Sequence, residues 1–159
     1  MKLNLGCMTD EIRTEGYLNI DDKPLDGYNA DTYRQGNFES LDWLCEDETV
    51  EEISIKHSIC RLPANIIEQA LKNWTAKLEQ NGILKIMILD AHLAAQMFAQ
   101  DQLSLQEYQK MLFGDPAKDI KMQSVLDLLT LSSLIENAGL TIVTKRYDGL
   151  SSYIEATKK

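Results

Sequence analysis

Gly6, Cys7 and Met8 stand where a short alternating strand, Lys2-Leu3-Asn4-Leu5, runs out. About ten residues on, a second strand, Tyr17-Leu18-Asn19-Ile20, ends in two adjacent carboxylates, Asp21 and Asp22. A glycine after a strand lets the backbone approach a ligand closely. An acid at the end of the next strand accepts hydrogen bonds from vicinal ribose hydroxyls. Neither residue says much alone, since a lone glycine is usually a turn and Asp21-Asp22 could be a polar strand end. Together they read as a nucleoside-binding edge. Two further groups sit at the same kind of position: His57, after the strand Val50 to Ile55, and Asp90, after Ile83 to Leu89. Either could move a proton. His57 could equally be a hydrogen-bonded strand-end histidine, and Asp90 could cap a following helix.

The elements that must position these residues follow from the hydrophobic periods. The chain has 159 residues, which suits one domain spanning 1–159 with its own core. Tyr28 to Gln35 alternates weakly and reads as a third strand, and Leu41 to Leu44 as a helical turn. Pro63 opens a helix over Ala64 to Gln80, with Ile67, Leu71, Trp74 and Leu78 on one stripe. Asn81-Gly82 reads as its stop and left-handed cap. Ile83 to Leu89 is continuously apolar, as a strand covered on both faces would be. Ala91 to Leu112 is helical with a break near Asp101, and Val125 to Ala138 is a helix capped by Gly139. Leu140 to Tyr147 and Ser152 to Thr157 are strands too close in sequence for a parallel crossover, so Asp148-Gly149 makes them a hairpin. The expected fold is α/β: a mostly parallel, doubly wound sheet with its last strand reversed.

Composition narrows the partners. A formal net charge of -9, from 16 Lys and Arg against 25 Asp and Glu, opposes a nucleic-acid backbone as a partner. No apolar run is long enough for a membrane span, and the start of the chain has no leader-like pattern, which points to a cytoplasmic protein. Three cysteines without C-x-x-C spacing, and only two histidines, give no metal-ligand pattern and fit reduced thiols.

Leu3-Asn4-Leu5-Gly6-Cys7, with Gly16-Tyr17-Leu18-Asn19-Ile20-Asp21, resembles the opening of class I S-adenosylmethionine-dependent methyltransferases. The likeness is to a small branch that begins L-N-L-G-C-G. Val50-Glu51-Glu52-Ile53, His57, Leu62-Pro63, Asn81-Gly82-Ile83-Leu84 and Leu134 with Ala138-Gly139-Leu140 are similar to its later motifs. The resemblance implies a Rossmann-like methyltransferase fold of about seven strands and S-adenosylmethionine as cofactor. It also implies roles for particular residues. Gly6 and Cys7 would bend under the methionine moiety, with Met8 next to them in the cofactor site, and Asp21 would bond the ribose. Asn37 would lie near the adenine amine and Phe38 beside the ring, with His57 by the methionine and acceptor. Three positions depart from the pattern: Met8 replaces glycine, Asn37 replaces an acid, and Cys60-Arg61 replaces a Glu-His pair. The Met8 side chain is expected to demand space in the cleft where glycine would leave it open.

A methyltransferase acting on a small-molecule or sugar-like acceptor is the leading expectation, with Ala91 to Ser124 as the acceptor lid. The alternative is a non-catalytic protein of the same fold that serves as a binding or interaction module. Nicotinamide chemistry is disfavoured by the absence of G-x-G-x-x-G.

Overall fold

The computed structural model describes residues 1–8, 11–13 and 15–159. Seven strands form one sheet: β1 (Lys2–Leu5), β2 (Tyr17–Asp21), β3 (Tyr33–Gln35), β4 (Val50–Lys56), β5 (Leu78–Leu89), β6 (Leu140–Asp148) and β7 (Ser151–Lys158). Their spatial order is β3-β2-β1-β4-β5-β7-β6. Strands β1 to β5 pair in parallel, whereas β7 runs antiparallel to both β5 and β6. The Asp148-Gly149 hairpin therefore folds β7 back between its neighbours and produces the reversed strand expected from the four-residue spacing.

The helices are α1 (Ala64–Lys77), α2 (Ala91–Ala99), α3 (Leu105–Phe113) and α4 (Leu128–Asn137). A 3-10 turn, Ser58–Arg61, follows β4 directly. Helices α1 and α4 touch each other and lie on one face of the sheet. The period of two sets that face. Leu5, Ile55, Ile86 and Ile154 are successive cross-strand partners, all buried, and they pack with Ile67, Leu71 and Trp74 of α1 and Leu131 and Ile135 of α4. The alternate positions carry a polar row: Asn19, Asn4, Ser54, Lys85 and Glu155 are successive partners across β2, β1, β4, β5 and β7. That side is closed near β1 by Glu11 and Arg13. There Asn4 Nδ2 donates to Glu11 O at 2.6 Å and Asn19 Nδ2 donates to Arg13 O at 2.8 Å.

Several boundaries differ from the periodic reading. The third strand begins at Tyr33 rather than Tyr28, because Asn29 organises a turn that accepts from the Thr32 and Tyr33 amides. Helix α1 stops at Lys77, not Gln80: Leu78 is extended and pairs with Val50. Asn81, at φ 65°, is then an irregularity inside β5 and not a helix cap. The break near Asp101 is real. Asp101 has φ 56°, and Ser104 and Glu107 form a capping box that starts α3. Thr9 and Asp10, which follow Met8 in sequence, lie outside the described residues, as does Thr14.

Candidate nucleoside cleft

In an open α/β sheet, ligands bind beyond the carboxyl ends of strands where the order reverses. Here that point lies between β1 and β4, with β2 on the other side of β1. Gly6 leaves β1 with φ 61°, and its N–H donates to Ile20 O at 2.8 Å. A β-carbon on Gly6 would stand 2.8 Å from Ser58 Oγ and collide with the Ser58 β-carbon, so both the backbone angle and the close approach require glycine. Ser58 in turn donates to Gly6 O, which seats the 3-10 turn on the glycine turn.

Met8 takes φ 43°, the left-handed region that glycine would occupy without strain. The backbone thus reproduces the glycine conformation, the amide donates to Asp21 Oδ2 at 3.0 Å, and Met8 forms part of a cavity wall. Cys7 is buried; burial first, then the Asp21 charge, pushes its thiol up to about 12. It is an inert packing group rather than a nucleophile.

Asp21 ends β2 with 1% of its surface exposed. Oδ2 accepts from the Met8 amide and from Arg61 Nη1 at 2.9 Å; Oδ1 accepts from the Lys23 amide at 3.1 Å and Arg61 Nη2 at 3.1 Å. A carboxylate offers about four lone-pair positions, and these four donors use them. Burial alone pushes the Asp21 carboxyl up, but the Arg61 guanidinium, Asp22 and the Met8 amide outweigh it and hold it down to about 2. Arg61 also bonds Asp22, whose side chain is 56% exposed, and its guanidinium carbon lies 5.3 Å from the Phe38 ring centroid.

Arg61 has no role in the residue-by-residue expectations beyond its departure from the motif. Its signal is its position in Ile59-Cys60-Arg61-Leu62, where a charge among apolar residues implies a buried counter-charge. The backbone beneath it is held by the segment that precedes α4: the Gln123 and Ser124 amides donate to Cys60 O at 2.8 and 3.1 Å, and Gln123 Nε2 donates to Arg61 O at 2.7 Å.

Two cavities flank this ion pair. One, of about 250 Å³, is walled by Met8, Asp21, Pro24, Leu25, Tyr33 and Ile120. The other, of about 390 Å³, is walled by Asp22, Asn37, Phe38, Arg61, Leu62 and Gln123. Lys23 borders both. Phe38 is buried and fixed by Trp74, whose indole N–H donates to Phe38 O at 2.7 Å. Asn37 is exposed, and its side-chain oxygen accepts from the Glu39 amide at 2.7 Å, so a base would have to share or displace that bond.

His57 and Asp90 lie elsewhere along the same strand edge. His57, at φ 63°, turns the chain from β4 into the 3-10 turn, and its Nε2 sits 3.4 Å from Ser151 Oγ. Burial, then the Lys56 charge, lowers its pKa, which keeps the ring neutral at pH 7. Beside it a residual space of about 10 Å³, no more than one water, is closed by Cys60, Leu89, Ala94, Met111 and Met122. Asp90 is fully buried. It accepts from the Leu93 amide at 3.0 Å, the Leu128 amide at 2.9 Å and the Ser152 hydroxyl, so one carboxylate caps α2, holds the first residue of α4 and pins β7. It does not reach the Asp21 cleft in this arrangement, and its geometry is that of a structural cap. Among the described residues, no group of three His, Cys, Asp or Glu side chains could hold a metal, and no helix is long and apolar enough to cross a membrane.

No protein-family profile matches the chain, and no curated protein matches it by sequence. Solved structures do match by shape. A SAM-dependent methyltransferase from Methanosarcina mazei superposes with a TM-score of 0.71 at 16% identity, covering 99% of this chain and 91% of that one. A SAM-dependent methyltransferase from Thermotoga maritima, described as a possible histamine N-methyltransferase, gives 0.64 at 17%, covering 99% and 81%. One from Mesorhizobium loti gives 0.65 at 10%, covering 99% and 90%. At these identities the likeness is one of fold, and the fold is that of the Rossmann-like methyltransferases.

The cofactor that this fold implies, S-adenosylmethionine, brings a ribose diol and an adenine. The Gly6–Met8 turn and the buried Asp21 fit such a ligand, because their backbone angles and placement at the switch point are those a nucleoside needs. The Arg61 side chain, as placed, occupies both Asp21 oxygens, which a ribose diol would need as acceptors.

Proposed function

We propose that this chain, acting as one domain, binds S-adenosylmethionine at the Gly6–Met8 turn and is a methyltransferase for a small-molecule or sugar-like acceptor. The observation that carries the reading is Met8. A residue of the wrong type keeps the glycine-like φ of 43° and aims its amide at Asp21, so the cradle is retained although the sequence motif has changed. When bound, the cofactor supplies an activated methyl group and leaves the protein mainly the tasks of alignment and water exclusion. Asp21 would take the ribose hydroxyls, Phe38 would flank the adenine, and Asn37 would meet its amine. His57, neutral at pH 7, is the group in reach of the lid that could accept a proton from an acceptor hydroxyl or amine. Asp90 would act through position, by holding α2 over that region. A small acceptor suits the 159-residue chain, in which α2, α3 and the stretch from Met122 to Val125 line the space beside His57. Histamine, the possible acceptor of the Thermotoga neighbour, belongs to that size class.

One observation favours a second reading. All four acceptor positions of Asp21 are already filled, as they would be in a non-catalytic protein of this fold that serves as a binding or interaction module. Titration calorimetry with S-adenosylhomocysteine separates the two, followed by transfer of labelled methyl to hydroxylated and amine acceptors. Heat from the wild type, followed by methyl transfer, supports the first reading. Heat from Arg61→Ala alone, or silence from both proteins, leaves the second.

A further inference from the structure

We propose that Arg61 is an internal competitor for the nucleoside: its guanidinium occupies the diol's place on Asp21 and the ring's place beside Phe38, and it vacates both by swinging out onto Asp22. The inference rests on the proposed S-adenosyl site.

The guanidinium imitates the ligand in three respects. It is planar, it presents two parallel donors to the two oxygens of Asp21 at 2.9 and 3.1 Å, and it lies 5.3 Å from the Phe38 ring centroid. It is also placed so that it can leave. Asp22 already bonds the same guanidinium and is 56% exposed, against 2% for the Asp21 side chain, so an outward rotation keeps one counter-charge and gains water. The neighbouring cavity of about 390 Å³ gives the side chain room. The backbone need not move, because Gln123 and Ser124 hold the Cys60 and Arg61 carbonyls from the lid side. Opening is thus a side-chain rotation between two carboxylates, one deep and one shallow.

A ligand that binds only the open arrangement has its affinity reduced by the open fraction. If the Asp21-bound arrangement is favoured about tenfold, the wild type binds about tenfold more weakly than a chain without the guanidinium. Calorimetry with S-adenosylhomocysteine should therefore show Arg61→Ala binding at least about ten times more tightly than wild type. Arg61→Gln keeps a donor near Asp21 in case the alanine variant melts early, and should bind with intermediate affinity. Asp22→Asn removes the outer station; it should weaken binding in the wild-type background and leave it unchanged in the Arg61→Ala background. Equal affinities for wild type, Arg61→Ala and Arg61→Gln would overturn the competitor while leaving the proposed function standing. If Asp22→Asn weakens binding equally in both backgrounds, the outer station is refuted. Absence of binding in every variant removes the proposed function, and this inference with it.

Discussion

Arg61 Nη1 lies 2.9 Å from Asp21 Oδ2 in a place where both residues are largely shielded from water, their side chains being 8% and 2% exposed. A buried pair of this kind adds little to stability as a pair, yet breaking it leaves an uncompensated charge. Asp21→Asn should therefore destabilise the fold by about 3 kcal/mol, the low end of the usual range because Asp22 still faces Arg61. Urea denaturation of the two proteins measures the difference. A change under about 1 kcal/mol would show that the pair is solvated in solution.

Acid should act through the same pair. The Asp21 carboxyl is held down to about 2, below its ordinary 3.8, so its contribution to stability is present above about pH 4 and is lost as pH falls toward 2. Asp22 opposes it, since burial first, then its hydrogen bond with Asp21, raises that carboxyl. His57 adds an earlier step: its lowered pKa makes the unfolded chain take up a proton first, so stability declines as pH drops below the ordinary 6.5. Melting temperature against pH should fall in two stages, and His57→Gln should flatten the first. If the wild-type curve is level from about pH 7 to about pH 5, His57 is not buried as described.

How much of this could be read from residues alone depends on what kind of signal each feature leaves. The Gly6 turn and the end of β2 at Asp21 were legible because backbone conformation and a strand-end acid both leave a mark in residue type. The sheet direction was readable because four residues between Tyr147 and Ser152 cannot make a crossover. Helix α1 was overextended because the apolar stripe continues through Leu78, whose burial comes from pairing with Val50 in the sheet. Composition cannot tell these two burials apart. Arg61 was missed for a similar reason: its partner lies 40 residues upstream, and only the fold places the two together. Asp90 was ambiguous between proton transfer and capping, and the Leu93, Leu128 and Ser152 donors that favour capping come from three separate elements.

Replacing Asp90 by alanine should accordingly cost stability whatever the ligand state. Two backbone amides and a buried hydroxyl would lose their acceptor together, at about 1 kcal/mol or more for each. A total loss of about 2–4 kcal/mol, read by chemical denaturation, is expected, and Asp90→Asn should recover part of it. Should Asp90→Ala be as stable as wild type, the junction of α2, α4 and β7 is held by something else.

Gly6→Ala tests the seat of the 3-10 turn. The substitution forces a side chain into φ 61°, which costs about 1–2 kcal/mol, and drives its β-carbon into Ser58, which adds about 1–3 kcal/mol of overpacking. Gly6→Ala/Ser58→Gly removes the obstacle but not the strained angle, so it should recover roughly the overpacking part, discounted for the flexibility that the new glycine adds. Met8→Gly is the converse case. It relieves the strain of φ 43° and should be neutral or stabilising by up to about 1 kcal/mol. A double-mutant cycle on Gly6 and Ser58 decides the point. Additive effects would mean that the two side chains do not meet, and the glycine turn would then owe its residue type to the backbone angle alone.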